Sequence, residues 1–279
     1  MFIYLNGNFL PSETAKISPF DRGFLFADGV YEVIRTYNGN LFRFDDHLNR
    51  LHRSLTSIIL EYDLANIKNI TYQLTEKNNF TSSDCSIYIQ ITRGISVPRS
   101  HHFPNSLNPT IFISATKIIE NLPEKTKGIN VITCEDLRWQ RCDIKSISLL
   151  PSVMVHQFAN EKNAKEAILY KDEFITEGSH TNFFAVKNDT VYTAPEGNKI
   201  LSGITRKVIL ELCKKLDIVV KEEFIKKDEL QTFEEFFITS TTKEITPIVK
   251  IDSFTVPGNT PGNVTTKLQN EFRKLTMQY

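Results

Sequence analysis

In GVYEVIRTY (29–37), Val30, Glu32 and Ile34 alternate with Tyr31, Val33 and Arg35, the period of a strand with one polar-leaning face. Ahead of it, FIYLNGNFL (2–10) gives two short strands about Asn6-Gly7, a pair suited to a two-residue hairpin. Residues 18–29 hold turn formers and little periodicity, so they read as a loop. After the turn at Asn38-Gly39, LFRF is expected to pair back. The period then lengthens: Leu48, Leu51, Leu55 and Ile58 share one face of a helix whose N-cap is expected at Asp45-Asp46. A second helix over 66–78, a strand in CSIYIQITRG and another over 110–117 complete an α+β first half. The loop 93–105 separates those two strands.

Residues 119–128 are polar, with proline and glycine, and mark the best boundary. They divide a small N-terminal α+β domain (1–120) from a larger C-terminal domain (121–279). The second half predicts a strand over 129–139, a helix over 149–163, and strands in EAILYK, TNFFAVK and TVYTAP. ILSGITRKVILELCKKL is a loop feeding a helix, with Gly203 and Ile204 at its mouth and Val208, Ile209, Leu212 and Leu216 buried. A strand over 218–225 and a short helix over 226–233 follow. FFITSTTKEITPIVKI gives two strands around a hydroxyl-rich turn, Ser240-Thr241-Thr242. No internal repeat interrupts this order.

Composition narrows the function classes. Lysine plus arginine equal aspartate plus glutamate at 33 each, so the zero net charge gives no electrostatic argument for nucleic acid or an acidic membrane as partner, and a small-molecule substrate is expected. Cysteines 85, 134, 142 and 213 form no CxxC and sit at no metal-ligand spacing with histidine, as expected of reduced thiols in a cytoplasmic protein. MFIYLNGNFL lacks the basic start and apolar core of a signal peptide, and no apolar run reaches the ~18 residues that span a bilayer. No metal is expected: the six histidines show no His-Glu-x-x-His pattern, and Asp45-Asp46-His47 suits a helix cap better. There is no Gly-x-Ser-x-Gly elbow, Gly-x-Gly-x-x-Gly string or P-loop.

The candidate chemistry lies between Cys142 and Phe184. Lys145 precedes an apolar helix-like run, and Glu177 stands in a Thr-Glu-Gly-Ser turn between two strand-like runs. On spacing alone, Lys145 is a solvated lysine; the functional alternative is a Schiff-base amine paired with a carboxylate that stabilises a pyridinium nitrogen. Likewise Arg50 alone is an exposed helix arginine, and Gly203-Ile204-Thr205 an ordinary helix start, though helix starts also bind anions.

CDIKS, ITEGSHTNFFAV, ILSGITRKVI and FITSTTKEITPI, in that order, together with DRGFLFADGVYEVIRTYNG and HLNRLHRS, resemble fold-type-IV pyridoxal-phosphate enzymes over nearly the whole chain. That group holds D-amino-acid aminotransferases, branched-chain aminotransferases and aminodeoxychorismate lyases. The resemblance implies a two-domain α+β fold whose C-terminal domain is β-barrel-like with helices and binds pyridoxal 5'-phosphate. It implies that Lys145 carries the cofactor and shuttles the proton, and that Glu177 holds the ring nitrogen. Arg50, Thr205, the Ile204 amide and Thr241 would anchor the phosphate, with Leu201 against the ring face. LRWQRCDIKS looks closer to the D-amino-acid enzymes. Tyr31, Arg99 and His101 match the carboxylate trap of that subfamily, in which the Arg-x-His pair comes from the other subunit of a homodimer. Transamination from a D-alanine-like donor to a 2-oxo acid such as 2-oxoglutarate is therefore expected. The alternatives are an L-specific branched-chain enzyme, an aminodeoxychorismate lyase and a non-catalytic cofactor carrier. Three departures stand out: Val97 lengthens the loop by one residue, His102 follows where glutamine is usual, and His180 replaces a small hydroxyl residue. Which of His101 and His102 meets substrate stays open.

Overall fold

Asn6 and Gly7 both take positive φ (46° and 93°), and across them β1 (Phe2–Leu5) pairs antiparallel with β2 (Asn8–Pro11). The computed structural model describes residues 1–104, 108–258 and 261–279, which form two units. Asn105, the end of the loop read as 93–105, lies outside the described residues.

The first unit comprises Met1–Ile118, Ile144–Ser148 and Tyr279. Its remaining elements are α1 (Arg22–Phe26), β3 (Gly29–Tyr37), β4 (Asn40–Leu41), α2 (Phe44–Ser57), α3 (Ile67–Lys77), β5 (Cys85–Thr92) and β6 (Thr110–Lys117). The six strands form one antiparallel sheet in the order β2-β1-β6-β5-β3-β4. Ile87, Ile89, Ile91 and Ile113 of the central strands pack with Leu51 and Leu55 of α2 and Ile67, Ile70 and Leu74 of α3. Removing this apolar face from water, about 25 cal/mol per Å², drives the layer together.

Three local expectations give way here. Residues 18–29 are not all loop: Asp21 accepts a bond from the Gly23 N–H and caps the short α1, too brief to show a helical period. LFRF does not pair throughout, because Arg43 turns left-handed (φ 51°) and the helix has begun by Phe44. Asp45 and Asp46 therefore sit in the first turn, where their charge complements the helix dipole without a capping bond.

The second unit comprises Ile119–Asp143 and Leu149–Gln278. It contains α4 (Leu122–Lys127), β7 (Ile129–Glu135), α5 (Leu150–Glu161), β8 (Glu166–Lys171), β9 (Phe174–Gly178), β10 (Asn182–Lys187), β11 (Thr190–Thr193), α6 (Ile204–Lys215), β12 (Val220–Glu222), β13 (Glu235–Ser240), β14 (Glu244–Ile251), β15 (Phe254–Thr255) and α7 (Asn263–Thr276). A 3-10 turn over Lys227–Thr232 stands where a short helix is expected. The sheet runs β12-β11-β10-β13-β14-β7-β8-β9, with β15 on β14, and curls into a half-barrel. The parallel pairs β7–β8 and β11–β12 each need a crossover, and α5 and α6 supply them, while β14 pairs parallel with β7. Phe183, Phe236, Ile168 and Ile238 fill the core, and the rings of Phe184 and Phe237 stack at 4.7 Å.

Glu177 lies on β9, a strand, not in a turn; the turn comes after it at Ser179-His180. The helix α7 closes the chain, with Val264, Leu268 and Phe272 buried at four-residue spacing. Leu216, expected to be buried, is half-exposed just past the end of α6. Among the described residues, no helix is long and apolar enough to cross a membrane.

Candidate active site

Within the first unit, the segment Ile144–Ser148 is laced to the start of β3. The Tyr31 N–H donates to the Lys145 carbonyl (3.0 Å), and the Ile147 N–H to that of Gly29 (3.1 Å). The Lys145 N–H donates to Ser54 Oγ on α2 (3.2 Å). With its backbone tied on both sides, half-buried Lys145 points its ammonium at the Tyr31 ring, 4.3 Å from the centroid. Tyr31 in turn stacks on Tyr88 at 5.6 Å. Burial, and then the neighbouring Tyr31, push the Tyr88 phenol up to about 12.

Arg50 is not an exposed helix arginine. It is 4% exposed, and its Nε and Nη2 donate to the two oxygens of Glu32 at 2.7 and 2.8 Å. His47, three residues earlier on the same face of α2, meets Glu32 Oε2 at 2.8 Å. Burial alone would raise the Glu32 carboxyl, but Arg50 and then His47 outweigh it and hold it well below the usual range. Burial lowers His47, with Arg50 and Lys145 adding to the effect against the pull of Glu32. The fork of Arg50 is thus fixed in orientation by a buried acid.

Arg99 and His101 are exposed and share one aromatic support: Arg99 lies 4.4 Å from the Phe26 centroid and the His101 ring 5.2 Å from it. Arg22, buried at 3% exposure, holds their loop by donating to the carbonyls of Ser100, His101 and His102. Neither Arg99 nor His101 shares a hydrogen bond or ring contact with Tyr31 or Lys145 among the described residues, so within one chain the expected trap is not assembled.

In the second unit, Glu177 is 4% exposed and heavily engaged. Arg138 Nη1 donates to Oε1 (2.6 Å), Asn182 Nδ2 to Oε2 (3.0 Å), and the Leu201 N–H to both oxygens (3.2 and 3.1 Å). Asn182 also donates to the Leu201 carbonyl (2.9 Å), so the structure brings Glu177 and Leu201 together. Burial nevertheless wins over Arg138 and the Leu201 amide, and the Glu177 carboxyl is pushed above its ordinary value. The one guanidinium at Glu177 is shared with Asp136.

Ile204 and Thr205 open α6 after Gly203, both buried, and no side chain caps that helix start. A Cβ on Gly203 would collide with Asn182 Oδ1, so the close approach of backbone to Asn182 requires glycine. Helix α6 packs on β13, whose far end leads into the Ser240–Thr242 turn with Thr241 half-buried. The Thr239 hydroxyl beside that turn is buried without a partner.

These features fit pyridoxal phosphate. A buried acid that shares its one arginine with Asp136 suits a protonated ring nitrogen, and an uncapped helix start with adjacent hydroxyls suits a phosphate. Sequence reasoning missed Glu32, Arg138 and Asn182. His47 and Arg50 at i, i+3 opposite a strand acid were the available sign of Glu32; Arg138, in an aperiodic stretch, left none.

A family model described as amino-transferase class IV matches residues 29–251. The chain belongs to the class IV aminotransferases. It is 41% identical over 275 residues to a D-alanine aminotransferase of Staphylococcus haemolyticus, covering 98% of this chain and 96% of that one. A D-alanine aminotransferase of Bacillus licheniformis is 40% identical over 276 residues, covering 97% and 96%. Among solved structures, the branched-chain amino acid aminotransferase of Escherichia coli superposes with a TM-score of 0.90 at 26% identity, over 99% of this chain and 94% of that one. The branched-chain aminotransferase of Thermoproteus uzoniensis gives 0.88 at 27%, over 100% and 95%. As a class IV aminotransferase, the protein is a pyridoxal-phosphate enzyme of fold type IV.

Proposed function

We propose that this aminotransferase takes the amino group of a D-amino acid of the D-alanine kind and passes it to a 2-oxo acid such as 2-oxoglutarate. The observation that carries this is the match to D-alanine aminotransferases at about 40% identity along 98% of the chain. Likeness to branched-chain enzymes is one of fold at lower identity, which supports the scaffold more than the substrate.

When bound, pyridoxal phosphate supplies an electron sink for the negative charge left at the substrate α-carbon. Lys145 would hold the cofactor covalently, and its Nζ, once freed, would serve as the base and acid that moves the substrate's α-proton. Glu177 would accept a hydrogen bond from the ring nitrogen and keep it protonated; Arg138 and Asn182 fix the carboxylate for that task. Arg50, Thr205, the Ile204 amide and Thr241 bind the phosphate, and Leu201 packs on the ring. The C-terminal domain over 121–279 contributes most of these contacts. Tyr31, with Arg99 and His101 from the partner subunit of a homodimer, receives the α-carboxylate. The enzyme works in the cytoplasm.

The test is direct. Purified holoenzyme is given D-alanine, L-leucine or aminodeoxychorismate, with and without 2-oxoglutarate, and products are separated on a chiral column. Pyruvate and D-glutamate from D-alanine are expected. Turnover of L-leucine without D-alanine, pyruvate release without an acceptor, or no product at all would each overturn the proposal.

A further inference from the structure

The histidine spacing in the sequence gives no metal signature, yet the fold brings two of these residues to one carboxylate. His156 on α5, Glu166 at the start of β8 and His180 in the β9–β10 turn each offer a ligand atom, and the three atoms lie within 4.8 Å of one another. His180 Nδ1 is 3.3 Å from Glu166 Oε2, and His156 Nδ1 is 3.7 Å from Oε1. Bond lengths of 2.0–2.2 Å around a tetrahedral zinc ion place ligand atoms about 3.3 Å apart. Each imidazole is therefore already near that distance from one oxygen of the Glu166 carboxylate, and all three ligand atoms stay within 4.8 Å of one another.

The burial pattern suits an ion as well. The Glu166 side chain is fully buried, whereas those of His156 and His180 are 44% and 42% exposed. Among the described residues, Glu166 makes its ion pairs with these two imidazoles and with no lysine or arginine, an unusual provision for a buried charge. The carboxylate is also held in orientation. Ser179 Oγ donates to Oε1 (2.5 Å), Thr181 Oγ1 to Oε2 (3.1 Å), and the Ala167 and Ser179 N–H groups to Oε1 (2.8 and 3.2 Å). Outer hydrogen bonds of this kind aim a carboxylate ligand.

We propose that His156, Glu166 and His180 form a binding site for one divalent transition-metal ion of the zinc class. Two imidazole nitrogens and a carboxylate oxygen suit such an ion better than magnesium or calcium, which prefer all-oxygen shells. The half-exposed rings leave the fourth position to water. No step of the amino-transfer reaction needs this ion.

Tag-free holoenzyme, dialysed against chelator, is titrated with Zn2+ in competition with a chromophoric chelator. Wild type is expected to bind one zinc ion per chain and to melt at higher temperature in its presence. His156→Gln and His180→Ser should each weaken binding roughly tenfold or more, while His52→Gln, on exposed α2 surface, should not. Retained absorbance of the bound cofactor shows that the variants are folded. Wild-type affinity no tighter than that of the His156→Gln/His180→Ser double variant would overturn the site.

Discussion

Arg138 Nη1 stands 2.6 Å from Glu177 Oε1, while Nε and Nη2 of the same guanidinium hold the two oxygens of Asp136 at 2.9 and 2.8 Å. One cation thus serves two buried acids, and Thr176 Oγ1 secures Asp136 from the other side (3.0 Å). Burial opposes the Arg138 charge, but Asp136 and Glu177 overcome it and raise its pKa. Planar, forked and permanently charged, arginine suits a bridge that a lysine would make with one point charge.

Removing that bridge should therefore be costly. Arg138→Met leaves two carboxylates without their partner and is expected to lower stability by about 3–5 kcal/mol, read by urea denaturation. Arg138→Lys should recover only part of the loss. Half-reaction rates with D-alanine should fall in both, because the carboxylate proposed to hold the ring nitrogen loses the Arg138 bond that orients it. Stability within about 1 kcal/mol of wild type in Arg138→Met would contradict the bridge.

The Glu32–His47–Arg50 group makes a prediction about acid. Glu32 titrates below its ordinary 4.5 in the folded protein, so its stabilisation is full above about pH 4.5 and is lost as pH falls below that value. His47 is held below its ordinary 6.5, so the folded state binds its proton less readily than the unfolded chain does. That contribution is full above about pH 6.5 and is lost as pH falls below it. Unfolding free energy should accordingly decline from pH 7 to 4 in two overlapping stages. His47→Gln should flatten the upper stage, and Glu32→Gln should flatten the lower one while costing about 3–5 kcal/mol at pH 7. A wild-type profile that is level from pH 7 to 4.5 would speak against the His47 assignment, and one that is level from pH 4.5 to 3 against that of Glu32.

Gly203→Ala tests the close approach at the mouth of α6. The new methyl group would collide with Asn182 Oδ1, and Asn182 supports both Glu177 and Leu201. A stability loss of about 1–3 kcal/mol is expected, with weaker cofactor retention after dialysis. Retention and melting temperature equal to wild type would show that the loop gives way freely.

Local pattern made some of this architecture readable and left other parts hidden. Strands such as EAILYK carry their own period, and Asn6-Gly7 its own turn chemistry, so they were recoverable from neighbours in sequence. Arg138 and Glu177 are far apart in the chain, and the parallel pairing of β7 with β8, with the antiparallel pairing of β8 with β9, brings Asp136, Arg138 and Glu177 together. Nothing local encodes that pairing. Glu32 was hidden for a different reason: a charged residue on a strand signals solvent, and its partners His47 and Arg50 lie on another element. Helix α7 did show its period, in Val264, Leu268 and Phe272, and was legible though not read.

The last prediction concerns where Arg99 works. It is exposed, packs on Phe26, and makes no contact with Tyr31 or Lys145 in its own chain among the described residues. A carboxylate trap made of Tyr31, Arg99 and His101 then needs Arg99 from a second copy. Arg99→Ala should cost D-alanine turnover heavily, since it removes a charge-assisted bond to the α-carboxylate, and should cost little with an amine that has no carboxylate. Lys145→Ala should abolish turnover. If both residues acted within one chain, mixing the two variants would restore nothing. If Arg99 crosses a homodimer interface, each mixed dimer contains one site with an intact Lys145 and an intact partner Arg99. Random reassortment makes about half of the dimers mixed, so about a quarter of the wild-type D-alanine activity should return. The mixture is prepared by co-expression, and its dimers are counted by native mass spectrometry. Activity no higher than that of Arg99→Ala alone, with mixed dimers present, would place the trap elsewhere.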